Sequence, residues 1–199
     1  FQHRLLCADG RRLVVLHRGQ LDEDGRGVAL LQDVTAQVEA AQRIQDLATH
    51  HEVTGLPNRA WLLDQLDAAM CAARWEPEAG RIALLTIDVP RIADIKSNMG
   101  FGAGDTLCMA LAARLRAHGS DGEAVAQLGD TEFALTLESP GGEDREALRR
   151  RALDLQQILQ APVRLGTTDV YPQCLIGIAC FPADGDSADR LLECAQNAR

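Results

Sequence analysis

Asp88 closes an apolar, β-branched run, Ile82-Ala83-Leu84-Leu85-Thr86-Ile87, and two further carboxylates, Asp130 and Glu132, flank Thr131 in Leu128-Gly129-Asp130-Thr131-Glu132-Phe133. A carboxylate at the end of a buried strand, with a second on a neighbouring hairpin, is the geometry of a hard-cation site. Mg²⁺ takes oxygen ligands, usually one or two carboxylates completed by waters and phosphates. The matching chemistry is phosphoryl or nucleotidyl transfer, in which the metal stabilises the attacking and leaving oxygens. Alternation along a strand places residues 130 and 132 on one face and Thr131 on the other. The face that meets Asp88 therefore decides whether a metal site exists. The plainer reading makes Asp130 a solvated turn residue and Glu132 a strand-edge residue. Lys96 reads as a surface lysine at a helix end, or as a partner for Asp105 or a nucleotide phosphate. His50-His51-Glu52 reads as a solvated helix end rather than a metal cluster, Trp61 as a core anchor, and Gly141-Gly142 as ordinary loop.

These side chains need a scaffold, and periodicity supplies one. The run before Asp88 is continuous, as in a central strand covered on both faces. Val125–Leu128 and Glu132–Leu137 read as paired strands with Gly129-Asp130 at the turn. Helices are expected from about Asn58, over about 103–117 and 144–159, and from about Ser187; further strands fall near 163–165 and 169–179. Upstream, Asp9-Gly10 and Asp24-Gly25 are turn signals between three short apolar runs, which predicts an antiparallel meander. Thr35 reads as the N-cap of a helix to about residue 50. Its apolar stripe, Val34, Val38, Ala41, Ile44 and Ala48 with Leu47 beside it, suits either a two-helix seam or docking on a domain. The fold class is α/β (α+β): one central, mostly antiparallel sheet flanked by helices, preceded by the meander and a linker helix.

Composition narrows the function. Across 199 residues the formal net charge is −9, and no Lys/Arg cluster stands out, so nucleic acid is set aside as a main partner. The 46% apolar content supports a real core, and the 4% aromatic content means that core is aliphatic. Six cysteines with no CxxC pair read as reduced thiols in a cytoplasmic fold. No apolar run has the length of a membrane span. The opening Phe1-Gln2-His3 falls mid-pattern, so the sequence reads as a piece of a longer protein.

Several segments, in order from residue 54 to 198, resemble the GGDEF (diguanylate cyclase) family. Thr54-Gly55-Leu56-Pro57-Asn58-Arg59 resembles its TGLPNR motif, and Leu85-Thr86-Ile87-Asp88 its first metal-bearing strand. Gly100, Gly104 and Asp105 match GHxxGD, with Phe101 replacing the His. Leu128–Leu135 resembles the signature hairpin. Ile176-Gly177-Ile178-Ala179 with Pro182 and Asp184-Gly185 matches SIGIA…P.DG, and Leu191-Leu192 with Ala195 matches LLxxAD. The meander with Asp33-Val34-Thr35 resembles the last three strands and exit of a PAS sensor domain. The resemblance implies three parts: residues 1–34 as PAS-like strands, 35–52 as a signalling linker helix, and 53–199 as the GGDEF domain.

It also implies a mechanism in which two GTP molecules, held in the facing half-sites of a dimer, attack each other's α-phosphates. Carried over by position, the metal ligands are Asp88 and the backbone carbonyl of Val89. The second metal carboxylate falls on Thr131, which cannot supply a negative charge. Gly129 is kept, but the second phosphate-facing glycine falls on Asp130. The guanine-reading residues fall on Lys96 and Asp105, only the latter kept. Pro90 replaces the second Asp of DxD, and Ile92-Ala93 replaces a Phe-Lys pair. The product-inhibition motif RxxD falls on Ser120-Asp121-Gly122-Glu123, without its Arg. Asp88 and Glu132 are then vestigial, no catalytic residue is expected, and Mg²⁺ is expected only if nucleotide binds. The implied protein is a GGDEF domain that has lost its cyclase chemistry. It relays a PAS signal, as a homodimer through the linker helix, to an output such as an EAL phosphodiesterase, and GTP is its candidate ligand. Two alternatives stay open: a weak cyclase using a rearranged Asp88/Asp130/Glu132 site, and a ligand-free dimerisation scaffold.

Overall fold

The computed structural model describes residues 1–21, 27–75, 81–119, 123–139 and 145–199. The chain forms two compact units, Phe1–Ala48 and Thr49–Arg199.

In the first unit, β1 (Gln2–Leu6), β2 (Arg12–Leu21) and β3 (Gly27–Asp33) form an antiparallel sheet in that order. The first turn is built as the sequence predicts. Gly10 adopts φ +84°, which glycine tolerates without strain, and the Asp9 carboxylate accepts from the Arg11 amide at 3.0 Å. The Asp24-Gly25 turn lies outside the described residues. Helix α1 (Thr35–Thr49) follows. Its cap differs from expectation: the first helical bond runs from Val38 N to Val34 O, so Thr35 is already inside the helix. The Thr35 hydroxyl instead accepts from Val14 N at 2.8 Å and donates to Asp33 at 2.6 Å. That hydroxyl bond, and then the Thr35 amide, hold the Asp33 carboxyl below its usual range. None of the α1 side chains is buried.

The second unit is a mixed α/β fold. Its sheet has the order β5 (Ala124–Gln127), β6 (Glu132–Ser139), β4 (Arg81–Asp88), β9 (Leu175–Phe181), with every pairing antiparallel. The β4 strand explains the layering. Ala83, Leu85 and Ile87 join the cluster built on α3 (Arg91–Met99), α4 (Phe101–His118) and α5 (Arg145–Leu159). Ile82 and Leu84 join that of α2 (Arg59–Trp75) and α6 (Ala188–Asn197). A strand covered on both faces is expected to be apolar almost throughout, as in this run, whose one polar member before Asp88, Thr86, is fully buried with its hydroxyl unpaired. Leu84, Leu85 and Ile87 are fully buried, worth about 1.5–3 kcal/mol each.

Three local features depart from the sequence reading. Helix α3 was not anticipated, and it carries only Ile92 and Ile95 into the core. The stretch over 169–179 is two strands, because Thr168–Val170 (β8) pairs with Val163–Leu165 (β7) as a separate hairpin, while β9 begins at Leu175. Trp61 is only half-buried; Leu62, Leu66 and Met70 anchor α2. The last helix starts as expected, with the Ser187 side chain accepting from Arg190 N at 3.4 Å. Gly141-Gly142 lies outside the described residues. Among the described residues no helix is long and apolar enough to cross a membrane.

Candidate functional site

The site is built where β4 ends, the β5–β6 hairpin turns and α3 meets α4. The β4–β6 register brings Asp88 opposite Glu132, and the next rung joins Val89 N to Thr131 O at 2.9 Å. Strand alternation left open which hairpin residue would face Asp88. It is Thr131: its hydroxyl donates to Asp88 Oδ1 at 2.9 Å. Glu132 turns to α6, where it accepts from Gln196 Nε2 at 2.8 Å and pairs with Arg199 Nη1 at 3.1 Å. Asp130 is exposed at the tip and pairs with Lys96 Nζ at 3.5 Å. The three carboxylates thus face three different partners.

Lys96 sits at the centre of the remaining groups. Its side chain is only 15% exposed, and its ammonium lies 4.0 Å from Asp105 as well. Its stem lies flush on α4: a Cβ added to Gly104 would come within 2.2 Å of Lys96 Cγ. Phe101, by contrast, projects outward, 76% exposed. Behind the tip, the Cys108 thiol donates to Asp130 O at 3.7 Å, and burial pushes that thiol up to about 11. Cys108 is therefore a neutral packing group rather than a nucleophile.

A buried polar network carries the hairpin. Gln127 is 1% exposed and its hydrogen-bonding groups are used in three directions. Its amide donates to Pro57 O at 2.8 Å, its Oε1 accepts from Thr54 Oγ1 at 2.6 Å, and its Nε2 donates to Gly129 O at 2.9 Å. Arg116 holds the same loop from α4 by donating to Thr54 O and Gly55 O at 3.2 and 2.7 Å. His51 is not the solvated residue that the sequence suggested. Its backbone closes the loop to Leu56 and Gly55, and its Nδ1 is buried without a hydrogen-bond partner. Burial is the main cause that lowers the His51 pKa from 6.5; Asp130 and Asp105 work in the opposite direction and Lys96 with it.

Sequence reasoning named Asp88, Val89, Lys96, Asp105, Gly129, Asp130 and Glu132 as candidates. The structure gathers Lys96, Asp105 and Asp130 into one ion-paired cluster and pairs Asp88 with Thr131, the residue next to Asp130. It takes the Glu132 carboxylate to α6. The carbonyl of Val89 already accepts from Ile92 N at 3.0 Å. Glu123, in the segment matched to RxxD, pairs with Arg151 at 2.8 Å; residues 120–122 lie outside the described residues. Gln127, Arg116, Cys108, Gln196 and Arg199 were missed. A glutamine inside the apolar stretch before the hairpin was the one available signal.

Asp88 is one carboxylate whose nearest partner is a hydroxyl donor. Among the described residues, no group of three or more His, Cys, Asp or Glu side chains could hold a metal ion.

Residues 48–199 match the family model described as diguanylate cyclase, GGDEF domain. The chain belongs to the GGDEF family. Among curated relatives, the diguanylate cyclase TpbB of Pseudomonas aeruginosa is 36% identical over 180 residues, covering 89% of this chain and 39% of TpbB. The bifunctional diguanylate cyclase/cyclic di-GMP phosphodiesterase MucR of the same species is 30% identical, covering 79% of this chain and 22% of MucR. The chain therefore spans well under half the length of these relatives. Among solved structures, a sensory box/GGDEF family protein from Caulobacter crescentus superposes with a TM-score of 0.70 at 28% identity, covering 75% of this chain and 94% of that one.

Proposed function

We propose that Thr49–Arg199 is a GGDEF domain that has lost its cyclase chemistry and works as a regulatory module in cyclic-di-GMP signalling. One observation carries the reading. The position matched to the second metal carboxylate is Thr131, whose uncharged hydroxyl donates to Asp88. Asp130 adds a negative charge where the family's glycine would meet phosphate, and like charges in close contact repel. The rearranged Asp88/Asp130/Glu132 cyclase is disfavoured by the pairing of Glu132 with Gln196 and Arg199.

In this reading the upstream meander is the end of a PAS sensor, and α1 carries its signal toward an output domain such as an EAL phosphodiesterase. MucR, whose name pairs cyclase and phosphodiesterase activities, supports that architecture. The stripe on α1, with Ile44 69% and Leu47 59% exposed, supports a homodimer seam. Any GTP that binds is not turned over, and Mg²⁺ has a role only alongside it. The module acts in the cytoplasm. The test is to incubate the full-length dimeric protein with GTP and Mg²⁺ and assay cyclic di-GMP. No product above a protein-free control is expected; product at a steady rate, lost in Asp88→Asn, sinks the reading.

A further inference from the structure

We infer that Lys96 is a built-in occupant of the cleft between α3, α4 and the hairpin, and that it keeps guanosine triphosphate out. This rests on the reading of the domain as one that does not cyclise, and goes further by stating that it does not hold the nucleotide either. Three observations converge. The Lys96 side chain is 15% exposed although it is a lysine, whose long stem normally carries its charge into water. Its stem covers Gly104 so closely that a Cβ there would lie 2.2 Å from Lys96 Cγ, 3.2 Å from Cε and 3.3 Å from Cδ. Its ammonium is shared by Asp105 at 4.0 Å and Asp130 at 3.5 Å, which come from α4 and the hairpin.

The charge count decides the sign of the effect. An unpaired lysine in a cleft attracts phosphate. Here one ammonium faces two carboxylates, so the cluster is net negative, and Asp88, at the end of β4, is hydrogen-bonded to the hairpin through Thr131. A triphosphate entering this cleft meets repulsion from Asp130 and must also displace Lys96 from both partners. Like-charge juxtaposition at an interface costs several kcal/mol, more than an exposed ion pair returns. The Lys96–Asp130 contact also ties the hairpin tip to α3, where a bound ligand would otherwise bridge them. The hairpin is therefore held without a ligand.

Calorimetry with GTP and Mg²⁺ on the full-length protein tests this. The unaltered protein should give no binding heat. Replacing Lys96→Asn and Asp130→Gly together should raise affinity at least about tenfold. Equal affinity in the two proteins, including no binding by either, overturns the inference. Asp130→Gly alone keeps the stem over Gly104 and serves if the double variant is unstable; it should gain part of the affinity, and no gain overturns the inference. Independently, Lys96→Met should speed amide exchange across residues 128–133 about two- to fivefold, the effect expected of an exposed ion pair; unchanged exchange contradicts the latch. GTP bound without product by the unaltered protein sinks only this inference, whereas cyclic di-GMP production sinks the functional reading.

Discussion

Gly177 and Gly129 both lie in segments that resemble family motifs, yet the fold needs only one of them. Gly177 in β9 faces the end of α6, where an added Cβ would fall 2.0 Å from Ala195 O and 2.9 Å from Arg199 Cγ. At Gly129 an added Cβ would meet nothing within 4 Å, and its φ is not positive. The first glycine lets a helix pack on the sheet. The second has no such packing duty in this chain. Packing retains Gly177, whereas the hairpin tip can change its chemistry while the sheet beneath it stays intact. Asp130 and Thr131 sit at that tip.

The contrast can be broken or sharpened by substitution. Gly177→Ala should have the largest effect, because the obstructing atom is backbone and cannot rotate away. A loss of about 3 kcal/mol is expected, seen as a drop of roughly 6–12 °C in thermal unfolding. Gln127→Ala should follow. It leaves the Thr54 hydroxyl and the Gly129 carbonyl without their partner in a buried setting, a cost of about 2 kcal/mol, read from the midpoint of urea unfolding. If Gln127→Ala is neutral, the hairpin does not depend on that network.

The pH dependence of His51 should be smaller. Its folded pKa lies below 6.5 because burial disfavours the charged ring. Unfolding therefore takes up a proton between the folded value and 6.5. Stability from this group is full above 6.5, declines as pH falls through that window, and levels off below the folded pKa. His51→Gln should remove this part of the slope when unfolding is measured across that range; an unchanged slope would assign it to other groups. Gly129→Ala should change stability least, by less than about 0.5 kcal/mol, and a large loss would show that the fold does need glycine there.

How much of this was legible in the sequence follows the same division. The β4 run, the hairpin and the α6 start were readable because each is a local pattern: a continuous apolar strand, a turn between strands, a serine cap. Helix α3 was not, since nine residues with two buried apolar positions give too little periodicity. The split between β8 and β9 was hidden because the strand-like residues run on either side of Tyr171-Pro172. At the site, the candidate residues were named from the chain, but their partners were not. Thr131 reaching Asp88, Glu132 turning to Arg199, and Lys96 lying over Gly104 are contacts between distant segments. They depend on where the ladder ends and which way each side chain leaves it. Gln127 was overlooked because a glutamine inside a strand becomes informative only once its three partners are in place.

The proposed function requires that the hairpin beside Asp88 holds no cation of its own. Manganese binding, followed by electron paramagnetic resonance on the full-length protein without nucleotide, tests it most directly. The account predicts no bound Mn²⁺ in the unaltered protein and a gain of binding in Thr131→Glu, which restores a second carboxylate beside Asp88. Stoichiometric Mn²⁺ binding by the unaltered protein, abolished by Asp88→Asn, would contradict it.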